Sequence, residues 1–156
     1  MGHRNPQGLA YGADGNIYLN EHGPDGGDEL NRLTAGANYG WPVVTLGKDY
    51  SGANITPFTQ YKGMQDPLIN WTPSIAPSSM ALYDHMAFSG LQNAFLITSL
   101  KAKQLFAVDY QGETFTPYAI VNSIDERLRD VEVDSQGNIL VLTDGESARV
   151  VKITPR

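Results

Sequence analysis

Two segments of this 156-residue chain repeat, and the repeat limits what it can fold into. Gly8-Leu-Ala-Tyr-Gly-Ala-Asp-Gly-Asn-Ile-Tyr-Leu-Asn-Glu21 reads against Asp130-Val-Glu-Val-Asp-Ser-Gln-Gly-Asn-Ile-Leu-Val-Leu-Thr-Asp144. Each is a short β-rich run, a tight turn ending in Gly-Asn, and a second run. Gly15-Asn16 and Gly137-Asn138 supply residues that tolerate the positive φ of hairpin turns. A weaker copy joins Met80-Ala-Leu-Tyr-Asp84 to Leu91-Gln-Asn-Ala-Phe-Leu-Ile-Thr-Ser99. Hairpins recurring at about 50 to 70 residues predict the blades of a β-propeller. The alternative is a β-sandwich whose hairpins resemble one another by chance.

The remaining runs fit an all-β chain. Strands are expected over Gly8–Tyr11, Ile17–Asn20, Glu29–Leu33, Met80–Tyr83, Ala94–Ser99, Gln104–Tyr110, Thr114–Val121, Arg129–Val133, Ile139–Thr143 and Arg149–Ile153. No stretch shows a convincing helical period, and 16 glycines and 9 prolines cut the chain into short pieces. Residues 38–77 are rich in Gly, Pro, Asn and aromatics and read as an insertion between blades. The expectation is one domain of about three four-stranded blades, beginning near residues 8, 80 and 130. Closed propellers need about four to eight blades. Three would therefore be a half-propeller, completed by an N-terminal half that precedes this segment or by a second copy of the chain.

Composition narrows the partners. Hydrophobic residues are 41% and charged residues 18% of the chain, which suits a globular core. The net charge of −6 argues against nucleic acid, whose phosphates would be repelled. There is no cysteine, so neither disulfide nor thiolate chemistry is available. No run approaches the roughly 18 apolar residues of a membrane span.

In a propeller the first strand of every blade lines the central channel, and all first strands run the same way. Residues just before those strands, and loops after the second strands, converge at one mouth. That rule gathers Arg4, Asn5 and Gln7, the loop from Glu21 to Asp28, Lys101, Arg127 and Arg129. Four cations at one mouth of an acidic domain imply a small polyanionic ligand, and planar carboxylates suit the forked guanidinium. Each residue also has a simpler reading. Arg127 and Arg129 would be solvated or paired with Asp125 or Glu126, Lys101 would be a surface lysine, and Asn5-Pro6 a turn. The carbonyls of Gly23 and Pro24 could face a hard cation such as Ca²⁺, or simply form a turn. Asp28 and Glu29 could ligate a cation or open a strand as solvated acids. No nucleophile triad is legible, and the three histidines are not spaced as zinc ligands.

Eight collinear motifs run the length of the chain: Gly2-His-Arg-Asn-Pro-Gln-Gly8, Glu21-His-Gly-Pro24, Gly27-Asp-Glu-Leu-Asn31, Asn38-Tyr-Gly-Trp-Pro42, Ile75-Ala-Pro-Ser78, Ser99-Leu-Lys101, Arg127-Leu-Arg-Asp-Val131 and Leu142-Thr-Asp144. With these the chain resembles the C-terminal half of the soluble pyrroloquinoline-quinone (PQQ)-dependent glucose/sorbosone and aldose sugar dehydrogenases, which are six-bladed β-propellers. The resemblance implies that Arg4, Asn5 and Gln7 surround the quinone. It implies that Lys101, Arg127 and Arg129 bind its carboxylates and quinone oxygens, and that the Gly23 and Pro24 carbonyls ligate the Ca²⁺ it chelates. A second calcium would use Asp28, Glu29 and Tyr39. The implied reaction oxidises an aldose at C1 to the lactone. The family's catalytic base is a histidine in an earlier blade, and none of His3, His22 or His85 takes that position, so no catalytic residue is expected here and the chain alone should be inactive. The sugar-stacking positions do not transfer: Trp71 is offset by a residue, and Leu68 stands where a tyrosine would be sought. A relative of this family would be periplasmic or secreted. The alternative function is a non-catalytic half-propeller that self-associates and binds another small anion.

Overall fold

The computed structural model describes residues 1–121 and 123–155. Among these residues eleven strands form three antiparallel sheets. The first contains β1 (Pro6–Tyr11), β2 (Ile17–Glu21), β3 (Asp28–Arg32) and β4 (Ile69–Trp71) in sequence order. The second contains β5 (Pro77–Leu82), β6 (Phe95–Ser99), β7 (Leu105–Gln111) and β8 (Thr114–Val121), and the third β9 (Arg127–Val133), β10 (Ile139–Asp144) and β11 (Val150–Ile153). The only helical element among the described residues is one 3-10 turn, Ser89–Leu91. Among the described residues no helix is long and apolar enough to cross a membrane.

Each sheet is an up-and-down meander whose neighbours in sequence are neighbours in space, and the first strands β1, β5 and β9 lie side by side. This is the arrangement of three consecutive propeller blades. Gly15 and Gly137 both sit at φ +79°, as the repeated Gly-Asn turns require. Two details differ from the sequence-based expectation. The third sheet has three strands among the described residues, not four. The span 38–77 is not uniformly irregular, because Ile69–Trp71 returns to pair with β3 as the fourth strand of the first blade. Three residues carry too short a pattern to announce a strand.

The core lies between the sheets. Tyr18, Leu30 and Ile69 of the first blade pack against Met80, Phe95, Ile97 and Val108 of the second. The opposite face of the second blade, through Ala94, Leu96, Leu105 and Ala107, meets Leu128, Val131, Ile139 and Val141 of the third. The middle blade is thus covered on both faces. That is why β6, Phe-Leu-Ile-Thr-Ser, is buried at all five positions and lacks polar alternation. Phe95, Tyr110 and Phe115 stack at the first interface, with Phe95 and Tyr110 centroids 5.2 Å apart and Tyr18 tilted against them.

Candidate functional site

The loop after β2 is held by one buried acid. Asp28 Oδ1 accepts from the Gly23 amide at 3.0 Å. Its Oδ2 accepts from Ser74 Oγ at 2.7 Å and from the Ile75 and Ala76 amides at 2.8 Å each. Asp28 is fully buried, so these four donors replace its lost hydration. It ties the turn after β2 to the segment that enters β5, and both its oxygens are committed to that task. The insertion docks on the same turn through a two-bond backbone bridge between Asp25 and Lys48.

That bridge and the loop beyond β6 enclose an open cleft of about 450 Å³, the size range of small-molecule sites. His22, Gly23, Pro24 and Asp25 form one wall, Lys101 and Lys103 another, and Arg127 a third. Tyr50, from the insertion, also faces it. Lys101 Nζ lies 3.5 Å from Asp25 Oδ1. Arg127 Nε donates to Asp144 Oδ2 at 2.9 Å, and Arg129 Nη2 donates to the same oxygen at 3.1 Å. The hydrogen bond from Arg127 above all holds the Asp144 carboxyl below its ordinary range. The arginines are therefore paired, but with Asp144. Asp125 is taken by Lys103 at 3.0 Å and Glu126 by Arg149 at 2.5 Å.

The N-terminal residues sit beside this cleft. The Arg4 guanidinium donates to the Gly23 carbonyl at 2.8 Å and lies over the Trp41 ring at 5.4 Å. Gln7 Nε2 donates to Asn5 Oδ1 at 3.0 Å, and Asn5 Nδ2 lies 3.4 Å from His22 Nδ1. Asn5 and Gln7 are exposed and reach the cleft wall only through His22. Trp71 and Leu68 pack against the core between the first two blades and do not line the cleft.

Behind the turn lies a second, water-sized cavity of about 10 Å³, bordered by Gly2, Arg4, Glu21, Glu29 and Tyr39 among others. Asn31 Nδ2 bridges the two acids, donating to Glu21 Oε1 at 3.2 Å and Glu29 Oε2 at 3.0 Å. His3 Nδ1 lies 2.6 Å from Glu21 Oε1. Burial pushes the Glu29 carboxyl up to about 7; the Asn31 hydrogen bond opposes this, while the charges of Glu21 and Asp28 reinforce it. Asn31 Oδ1 is buried and has no hydrogen-bond partner among the described residues. The Tyr39 hydroxyl donates to the Arg32 carbonyl and accepts from the Thr34 amide, so the main-chain carbonyl is the oxygen Tyr39 has left to offer. No group of three or more His, Cys, Asp or Glu side chains among the described residues forms a metal cage, so any cation here would lean on carbonyls.

The sequence placed Glu21 and Asp25 at the mouth only as part of the loop 21–28, with no role of their own, and passed over Tyr50 and Lys103. Glu21 carried a signal, since it lies opposite Glu29 across the β2–β3 pair. Tyr50 carried none, because its place depends on how a long irregular segment folds back.

The family model for glucose/sorbosone dehydrogenase matches residues 1–152. The aldose sugar dehydrogenase YliI of Escherichia coli is 39% identical over 159 residues, covering 99% of this chain and 43% of the relative. The crystal structure of the soluble aldose sugar dehydrogenase from Escherichia coli in the apo-form superposes with a TM-score of 0.94 at 38% identity, over 99% of this chain and 46% of that one. The PQQ-bound aldose sugar dehydrogenase of Streptomyces coelicolor superposes with a TM-score of 0.73 at 26% identity, over 97% of this chain and 43% of that one. The chain thus spans less than half the length of each of these relatives. Three consecutive blades and a family match along nearly the whole sequence place this chain in the glucose/sorbosone dehydrogenase family.

Proposed function

We propose that this chain forms the cofactor-gripping part of a PQQ-dependent aldose sugar dehydrogenase. The observation that carries the reading is the meeting of Lys101, Arg127 and the Gly23-Pro24 turn in one open cleft. The donor set suits a polycarboxylate bound together with a hard cation, because two cationic side chains and a turn with main-chain carbonyls to offer line the same cleft. Lys101 and Arg127 would neutralise and orient the carboxylates, with Arg129 tied to Arg127 through Asp144. Gly23 and Pro24 would offer their carbonyls to Ca²⁺. Arg4 now holds the Gly23 carbonyl. A cation there would repel its guanidinium and free it to turn toward the ligand beside Asn5 and Gln7. When bound, the quinone supplies the hydride acceptor for oxidation of an aldose at C1 to the lactone. The proton-accepting histidine belongs to the part of the family's propeller that this segment does not span, so the chain alone is inactive. A second calcium would take Glu29 and the Tyr39 carbonyl at the small cavity, while Asp28 serves it through the turn it holds.

The test is equilibrium binding of PQQ to the full chain with and without Ca²⁺. Binding is expected to need Ca²⁺ and to weaken at least about 10-fold, roughly 1.4 kcal/mol, in Lys101→Ala and in Arg127→Ala. Binding that ignores both substitutions would remove the proposal. Turnover of glucose with a dye acceptor by the chain alone would remove its inactive part.

A second reading is favoured by the outer faces of the end blades. Leu9 and Tyr11 on β1, and Leu142 and Val150 on β10 and β11, are exposed. Two copies could close a ring there and act as a small-anion binding or assembly module.

A further inference from the structure

We propose that Asp144 is a positioning residue, one carboxylate oxygen of which ties Arg127, which lines the cleft, to Arg129, which stands outside its lining, as a single unit. The inference rests on reading the cleft as an anion site.

It begins with a bulge in β9. Leu142 pairs with Asp130 and Thr143 pairs with Leu128, so Arg129 has no partner across the ladder. Burial follows the same break. Leu128 and Val131 are both buried, three residues apart, with Arg129 and Asp130 both exposed between them. In an unbroken strand residues 127, 129 and 131 would share one face. The bulge lets Val131 turn into the core while both arginines stay outside, which is how bulges re-aim side chains.

Arg127 lies directly opposite Asp144 in the register. Arg129, displaced by the bulge, reaches back to the same Oδ2. Two guanidiniums so close repel each other, and each long side chain has many rotamers to lose. One shared acceptor offsets the repulsion and removes the rotamer freedom before a ligand arrives. It occupies one N–H of each of Arg127 and Arg129, and a guanidinium carries five. The pair keeps a net positive charge and free donors for a planar carboxylate. Neither nearby acid could substitute, since Asp125 holds Lys103 and Glu126 holds Arg149.

The sign of one measurement separates positioning from charge. Removing an acid from the mouth should, by Coulomb attraction alone, tighten binding of an anion. Positioning predicts the opposite. PQQ binding in the presence of Ca²⁺ is measured for the full wild-type chain, Asp144→Ala and Asp144→Asn, with circular dichroism to verify the fold. Asp144→Ala is expected to weaken binding about 10-fold, and Asp144→Asn to recover part of the loss, because its amide oxygen still accepts. The Arg127 Nε–H proton resonance should exchange slowly with water in wild type and be lost to exchange in Asp144→Ala. Equal or tighter binding by a folded Asp144→Ala chain, or an unchanged Nε–H resonance, overturns the proposal. Failure of the wild type itself to bind PQQ overturns the anion-site reading and this proposal with it, and is recognisable because the variants then have nothing to lose.

Discussion

Glu29 is the residue whose chemistry is least like its textual neighbours suggest. As one of two consecutive acids opening β3, it reads as a solvated charge. Folding instead places it beside a small cavity, next to Glu21 and Asp28, with its carboxyl pushed up to about 7 from an ordinary 4.5. Between those two values the folded chain holds a proton that the unfolded chain has lost. The contribution of Glu29 to the stability of the cation-free chain should therefore be fully present below about pH 4.5 and be lost as pH rises through about 7, by about 2 to 3 kcal/mol. Urea unfolding with a chelator at pH 5 and pH 8 measures the loss, and Glu29→Gln should flatten most of it. Added Ca²⁺ should restore stability at pH 8 in the wild type, since a bound cation favours the carboxylate, and should do little for Glu29→Gln. Equal pH responses of wild type and Glu29→Gln would mean that Glu29 titrates normally. The residue types were legible in the sequence, but of the four cations the blade rule gathers only Lys101 and Arg127 line the cleft; Arg4 borders the small cavity and Arg129 lines neither. The division of labour was not legible. Asp28 and Glu29 are adjacent letters, yet one is saturated by four hydrogen bonds and the other borders a cavity, because strand neighbours face opposite ways.

At the scale of elements, the hairpins were readable because each joins adjacent strands through a turn with its own chemistry. The contacts between blades were not, because they join residues of different hairpins that share no local signal. Gly8 shows how tight they are. A Cβ there would lie 2.6 Å from the Met80 amide nitrogen, 2.8 Å from Met80 Cβ and 2.8 Å from Asn20 Oδ1. Two of these obstacles cannot simply swing away, since one is the backbone of β5 and the other accepts the Gly8 amide at 2.6 Å. Gly8→Ala should wedge β1 from β5 and lower stability by about 1 to 3 kcal/mol, seen as a lower unfolding midpoint. Shortening the neighbour in Gly8→Ala/Met80→Ala should not rescue it, because the amide nitrogen remains. A Gly8→Ala chain as stable as wild type would show that the first two blades meet more loosely than described. The bulge in β9 belongs to the same class of hidden feature. Alternation alone puts Arg127, Arg129 and Val131 together, and only the demand of the core for both Leu128 and Val131 forces the break.

For the whole molecule, the decisive fact is that only the middle blade is covered on both faces. Gly8 and Ala10 turn toward the second blade, so the alternating Leu9 and Tyr11 face away and are 61% and 69% exposed. On the third blade Val131, Ile139 and Val141 face inward. Leu142 and Val150, paired across β10 and β11, face outward and are 38% and 65% exposed. Apolar side chains gathered on sheet faces at both ends of a row of blades invite a covering surface. In solution the chain by itself has only other copies of itself to offer. If two copies close head to tail, the first-blade face of each meets the third-blade face of the other, and both junctions are equivalent by twofold symmetry. A charge on either face then damages both junctions at once. Sedimentation velocity of the wild-type chain should show concentration-dependent dimers, while Leu9→Glu and Val150→Glu should each give monomers with unchanged circular dichroism. Indefinite growth beyond the dimer would mean that the twist between copies does not close. A strictly monomeric wild type would dismiss the ring and leave both faces to a differently shaped partner, such as the remaining blades of a full-length relative. The cofactor site discriminates further. A two-copy ring would carry Lys101, Arg127 and the Gly23-Pro24 turn twice, so PQQ should saturate a dimer at two equivalents, whereas a propeller completed by unlike blades should take one.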